Sequence, residues 1–479
     1  MPRPRAGQSD ARVAPRVVAA THLVRALAVV AVVASLVGAA PAHSAGAQDG
    51  GTERPFPAPA GACYTASGPT AMAPNQMAAL YGLDRLWAAG ARGQGHSIAI
   101  LGPDATPDVA EVQAFRHCFG VDVPLTTLNI GPGAEPQVSG EATLDVTTSM
   151  SAAPGLDHVY QFGGRAGLVN PLLELLRAAL DPANTGGQLV DAVSTSFSMC
   201  EPRAVAGHHS YDAQYLPEMT ALLEHAASLG VTVFADAGDS GSSNCAAHPV
   251  HENEPDVALA AVGFPGSSPY AVSVGGSQFE LRKDVDGSGR VTTERVWNEP
   301  DATQPGTRMA GSGGVSTLFT APSWQEGLVP AGMRSVPDVT ALAGTPGYSW
   351  SDDHSVWFGT SAATPFTAAS WLVALSALDA RGIASPGFFG QVLYDLARRQ
   401  RADPAAPAVL RDITVGDNDV WGKVGCCVAG PGFDRASGLG SLRWDQVVEA
   451  LAPTPPSTTT TVPVAVPAPP AAAPLRLVG

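Results

Sequence analysis

Short apolar runs separated by helix-length stretches recur through the middle of this chain, and that alternation leaves few folds open. Residues 97–101 (SIAIL), 192–198 (AVSTSFS), 231–235 (VTVFA) and 270–274 (YAVSV) read as buried strands. Residues 171–180 (PLLELLRAAL) carry apolar positions at helical spacing, and 213–229 reads as another helix. Strands that alternate with helices build βαβ units, because parallel neighbours need a long crossover between them. The expected fold class is α/β, a mainly parallel sheet flanked by helices in a single large domain. Such sheets present functional groups at the C-terminal ends of their strands. Chemistry is therefore sought just after strands and at helix starts. Hydrophobic residues make up 45% of the 479, enough for a core of that size.

The two ends read differently. Arg3, Arg5, Arg12, Arg16 and Arg25 precede an apolar run at 26–40 and then small residues (PAHSAGAQ). This is the charge, apolar core and cleavage pattern of a secretory signal. The run is shorter than the roughly 20 residues a membrane span needs. Residues 1–45 are expected to be the signal, 46–73 a Gly/Pro-rich linker, 74–451 the folded domain and 452–479 an extended Pro/Thr/Ala-rich tail. Export implies a secreted chain with no stable membrane insertion after signal cleavage. The six cysteines, an even set without zinc-type spacing, then read as disulfides. Cys426 and Cys427 are adjacent and are expected to bond to different partners. A net charge of −16 with only two lysines, Lys283 and Lys423, excludes the usual nucleic-acid footprint.

Three segments carry chemistry. Residues 359–365 (GTSAATP) lead into an apolar helix-like run, which places Ser361 at a helix start, near its positive end. That position suits a nucleophile whose attack generates an oxyanion. The same string also reads as a Ser/Thr helix cap. None of the histidines sits in the HGTH context of a subtilisin-like base. Glu141 and Asp145 stand at i and i+4, on one helical face. Read alone, the pair is better explained by a solvated acidic face. In 234–241 (FADAGDSG) Asp239 follows the strand at 231–235. The GDSG string resembles a trypsin-like nucleophile loop around Ser240. The nearest plausible histidine, His248, follows that serine instead of preceding it, and strand–helix alternation does not suit a double β-barrel.

Together these segments resemble the sedolisin, or serine-carboxyl peptidase, family. Glu141 and Asp145 match its E-x-x-x-D pair, Asp239 in AGDSG its oxyanion-hole aspartate, and Ser361 in GTSAATP its nucleophile. FPGSSPYAVSVGG (264–276), VWNEP, GSGGVSTLFTAPSWQ (311–325) and RSVPDVTALAG (334–344) come in the family's order. RDITVGDND and AGPGFDRASGLGS resemble its calcium loop. The resemblance spans about 74–450. It implies a subtilisin-like fold and one structural Ca²⁺, held by side chains of Asp412 and Asp434 and by carbonyls of Ile413, Gly430 and Gly432. Hard oxygen ligands suit that ion. Residues 284–289 (DVDGSG) lack a later Glu for an EF-hand and read as a hairpin turn.

The resemblance further implies an acid-acting endopeptidase working as a monomer on protein or peptide substrates. Glu141 would be the general base, Asp145 would orient it and share its proton, and a protonated Asp239 would hydrogen-bond the oxyanion. Free Asp and Glu titrate near 3.9 and 4.3, roughly, which puts such machinery in acid. A tripeptidyl-peptidase-like exopeptidase of the same fold and a non-catalytic surface protein are the alternatives. The family's large folded pro-segment has no counterpart in the roughly thirty residues between signal and resemblance. Assisted folding or a separately supplied pro-domain is therefore expected. A Cys200–Cys245 bond near the active site is also expected.

Overall fold

An eleven-stranded sheet occupies the centre of the computed structural model. The described residues are 53–61, 71–103, 105–202, 214–246, 256–300, 307–349 and 356–452. The signal, part of the linker and nearly all of the tail lie outside them. The sheet contains β1 (Arg54–Phe56), β2 (Ser97–Gly102), β3 (Leu125–Ile130), β4 (His158–Gly164), β5 (Ala192–Thr195) and β6 (Thr232–Asp236). It continues with β7 (Val272–Lys283), β8 (Gly289–Val296), β9 (Val339–Leu342), β10 (Leu410–Arg411) and β11 (Ser441–Leu442). Its order is β10-β11-β9-β7-β6-β5-β2-β4-β3, with β8 paired to β7 and β1 to β8. From β11 to β3 all pairings are parallel; β8, β1 and β10 join antiparallel. The expected α/β class is what the chain adopts.

Alternation along the strands feeds two cores. In β2, Ile98 and Ile100 enter one apolar cluster, and Ala99 and Leu101 enter another on the opposite face. The same switch separates Phe234 from Val233 in β6. Among the helices that contribute to these clusters are α1 (Gly140–Ala152), α2 (Pro171–Ala179), α3 (Tyr215–Ser228) and α4 (Thr360–Asp379). Leu172 and Leu176 of α2 and Met219 and Leu223 of α3 fill the second cluster. Phe366, Trp371 and Leu372 of α4 fill the first. Each such side chain withdrawn from water contributes about 1.5–3 kcal/mol. α4 is apolar on nearly all sides because it runs through the core, packed on α1 and on β5, β6, β7 and β9. It is the one helix among the described residues long and apolar enough to cross a membrane, and 94% of that stretch is buried inside the protein.

Several boundaries differ from expectation for local reasons. The strand expected at 192–198 ends at Thr195. There Phe197 N bonds to Thr195 Oγ1 (3.2 Å), turning the chain so that Ser196 and Ser198 meet carboxyl groups. Part of the stretch expected to be linker is folded: β1 pairs with β8, and Arg54 bonds Glu294 at 2.8 Å. The 284–289 hairpin turn is present between β7 and β8, with Asp284 N bonded to Ser288 O (2.8 Å). Cys200 and Cys245 form a disulfide with Cα atoms 5.0 Å apart, as expected. Cys426 and Cys427 are bonded to each other and not to different partners. Cys118, Cys200 and Cys245 are all committed to other disulfides, and none of the described cysteines is free.

A buried histidine ties the sheet to α4. His96 Nδ1 lies 3.0 Å from Asp191 Oδ1, and Nε2 lies 3.1 Å from Asp379 Oδ2 at the end of α4. Both ring nitrogens can donate only as imidazolium. Burial opposes that charge, but the hydrogen bonds and negative charges of Asp191 and Asp379 outweigh it and raise the pKa. A raised folded value stabilises the protein fully below the unfolded histidine's pKa, and the contribution fades as pH climbs through the folded one. His96→Gln is expected to cost about 1–3 kcal/mol in acid. Thermal unfolding followed at several pH values should show that loss shrinking toward alkaline pH; a constant difference would contradict it.

Candidate active site

Ser361 is the second residue of α4, where the first main-chain N–H groups have no acceptor within the helix. Gly359 caps it at φ 103°, a left-handed conformation that favours glycine. A Cβ there would sit 2.8 Å from Asp239 Oδ2 and 3.6 Å from Ser361 N. The missing side chain leaves room for that carboxyl at the start of the helix. Asp239 Oδ1 accepts from Thr360 N (2.8 Å) and Thr360 Oγ1 (2.6 Å). With Oδ1 taken by two donors, Oδ2 is the oxygen left to carry a proton.

Glu141 and Asp145 occupy the first two turns of α1, whose N-cap Ser139 accepts from Glu141 N at 3.1 Å. The helical i, i+4 reading therefore holds, but the face is buried and not solvated: Asp145 is 1% exposed. Packing of α1 on α4 brings Glu141 to Ser361. Burial pushes the Glu141 pKa up to about 7, the hydrogen bond with Ser361 pulls it down, and the charge of Asp239 adds to the rise. Burial, followed by the Glu141 charge, also raises Asp145, against a hydrogen bond from Ser196. Ser196 Oγ lies 2.8 Å from Asp145 Oδ1 and 3.2 Å from the carbonyl oxygen of Ser361. Glu141 Oε1 and Asp145 Oδ2 are buried without a donor. One proton shared between the two carboxyls is the simplest way to satisfy both.

All four residues singled out from sequence are thus neighbours. Ser196, Thr360 and a further acid, Asp236, were missed. Asp236 was legible as an acid at the last position of an otherwise apolar strand, an arrangement that buries a carboxyl. The serines carried no signal, since only the turn after Thr195 aims them.

The expected calcium residues also gather. Asp412 Oδ2 accepts from Gly432 N (2.7 Å), Asp434 Oδ2 from Gly430 N (3.0 Å), and Ile413 O from Ser437 Oγ (3.3 Å). Burial raises both carboxyls, and the charge of Asp434 adds to the rise of Asp412. Two acids with carbonyls of one glycine-rich loop suit a hard cation. Among the described residues no three or more His, Cys, Asp or Glu side chains are placed together to hold a metal ion. A metal here would lean on main-chain oxygens.

A parallel sheet whose strand ends present a helix-borne serine beside paired acids defines a subtilisin-like serine-carboxyl arrangement. No family profile matches the chain. It is 33% identical to kumamolisin of Bacillus sp. (strain MN-32) over 407 residues, covering 80% of this chain and 64% of that protein. It is 32% identical to tripeptidyl-peptidase sed5 of Aspergillus fumigatus over 262 residues, 50% of this chain and 41% of that one. Among solved structures, Pseudomonas sedolisin (serine-carboxyl proteinase), complexed with two molecules of pseudo-iodotyrostatin, shares the fold. That match has a TM-score of 0.63 at 23% identity and covers 80% of this chain and 98% of that one. The chain is thus similar in sequence to kumamolisin and shares its fold with a sedolisin, a serine-carboxyl proteinase. It spans less than two thirds of the length of the curated relatives it matches.

Proposed function

We propose that this protein is a secreted, acid-acting serine endopeptidase that cleaves proteins or peptides through Ser361, Glu141 and Asp145, with Asp239 in the oxyanion hole. The observation that carries this reading is the meeting of Glu141 with the Ser361 hydroxyl while Asp239 bonds Thr360, the residue just before Ser361. Ser361 Oγ attacks the scissile carbonyl carbon and its proton passes to Glu141. The oxyanion receives hydrogen bonds from Ser361 N–H and from a proton on Asp239 Oδ2. Glu141 then protonates the leaving amine, and water repeats the sequence to release the acyl group. Asp145 keeps its proton and steadies Glu141.

A carboxylate at Asp239 would repel the oxyanion, so the donor role needs the neutral acid. Below about 7 the ionised fraction of Glu141 falls tenfold per pH unit, yet its raised pKa makes it a stronger base. The charge of −16 and the two lysines favour peptide over nucleic acid as partner. The basic and apolar N-terminal pattern supports secretion.

Asp412 and Asp434, with the carbonyls of Ile413, Gly430 and Gly432, would hold one Ca²⁺, whose charge would pin the 412–434 loop. Chelation should then lower Tm by several degrees, roughly, and added Ca²⁺ should restore it. An unchanged Tm would remove the metal from this site.

Denatured protein offered at acid pH should be cut internally, and peptides blocked at the N-terminus should be cleaved as well as free ones. Cleavage confined to free N-termini would mean a tripeptidyl-peptidase-like exopeptidase instead. Absence of any hydrolysis would end the peptidase reading.

A further inference from the structure

The mechanism leaves one buried acid unused. Asp236 closes β6, three residues before Asp239, and is 5% exposed. Its Oδ2 accepts from Ser198 Oγ at 3.0 Å, while Oδ1 is buried with no hydrogen-bond partner. Ser198 lies two residues beyond Ser196, which bonds Asp145 and the Ser361 carbonyl. The short exit from β5 therefore touches an acid of the reacting set and an acid outside it. No cationic side chain pairs with Glu141, Asp145, Asp236 or Asp239 among the described residues.

We propose that Asp236 is a positioning residue for this peptidase site: neutral while the site works, it holds Ser198 in place, and its ionisation turns the site off by adding a negative charge behind Asp239. The inference rests on the peptidase reading. The groups facing it are Ser198 from the β5 exit, Glu141 and Asp145 from α1, and Asp239 from its own loop. On its other side β7 contributes Val274 and Ser273, which carry no charge. Burial, then the charge of Asp239, pushes Asp236 up to about 8, with Glu141 adding to the rise and Ser198 opposing it. Its proton is thus retained throughout acid. When it leaves, the new charge opposes both the oxyanion and the ionisation of its neighbours, so the acids titrate as a set.

Asp236→Asn keeps the shape and an oxygen for Ser198 but cannot ionise. The kcat/KM profile of the wild type should fall on the alkaline side with more than one proton lost. In Asp236→Asn that limb should become shallower and move upward by about one pH unit, with less than about a fivefold drop at the optimum. Ser198→Ala removes the hydroxyl that favours the ionised acid, and should also shift the limb upward. A merely structural role would scale activity equally at every pH. If Ser361-dependent hydrolysis is present and neither variant changes the profile's shape, this inference alone is overturned. If the wild type shows no Ser361-dependent hydrolysis, the functional reading fails and takes the inference with it.

Discussion

Ser361→Ala should reduce hydrolysis of denatured protein at acid pH by about 10⁴- to 10⁶-fold while leaving the fold intact. Only the hydroxyl is removed, and its contact with Glu141 is the link between α1 and α4 that the proposed reaction would use. The main-chain oxygen of Ser361 keeps its bond to Ser196, and Gly359 still caps the helix. Burial along α4 is unchanged, so Tm should move by less than a few degrees, roughly. Residual turnover would come from the oxyanion donors alone. Retention of more than about a tenth of wild-type kcat would remove Ser361 from the reaction.

Glu141→Gln should lower kcat by about 10³- to 10⁴-fold with little change in KM. An amide matches the carboxyl in size but cannot take the serine proton. The stability readout separates this from a structural effect. Glu141 is raised by burial and by the charge of Asp239, and its own charge raises Asp145. Neutralising it relieves like-charge repulsion in a site with no paired cation among the described residues, so Tm near neutrality should hold or rise. A variant that loses activity and stability in proportion would argue that Glu141 is a packing residue.

How much of this was open to sequence reading depended on how local each signal was. β2 and β6 announced themselves because strands buried on both faces are nearly continuous apolar runs. The E-x-x-x-D spacing announced a helical face, yet spacing alone could not distinguish a wet face from a dry one. That depended on α4 covering it, a contact between segments more than two hundred residues apart. Ser196 and Ser198 were hidden because a one-residue turn at Thr195 aims them. The Cys426–Cys427 bond escaped because adjacency was taken as a bar to pairing. The position of Asp239 after a strand was legible, but its role and the ligands of the 412–434 loop came from resemblance to a family.

The carboxyls clustered under α4 also bear on where this molecule can persist. Glu141, Asp145 and Asp236 hold protons that an unfolded chain would surrender near pH 4, roughly. The native form is then favoured at low pH, and that advantage drains away as pH rises from there toward about 7 for Glu141 and about 8 for Asp236. Neutral surroundings would erode the scaffold as well as idle the proposed chemistry. A peptidase working as proposed would, on leaving acid, lose the means to cut its neighbours and the integrity to wait there unharmed.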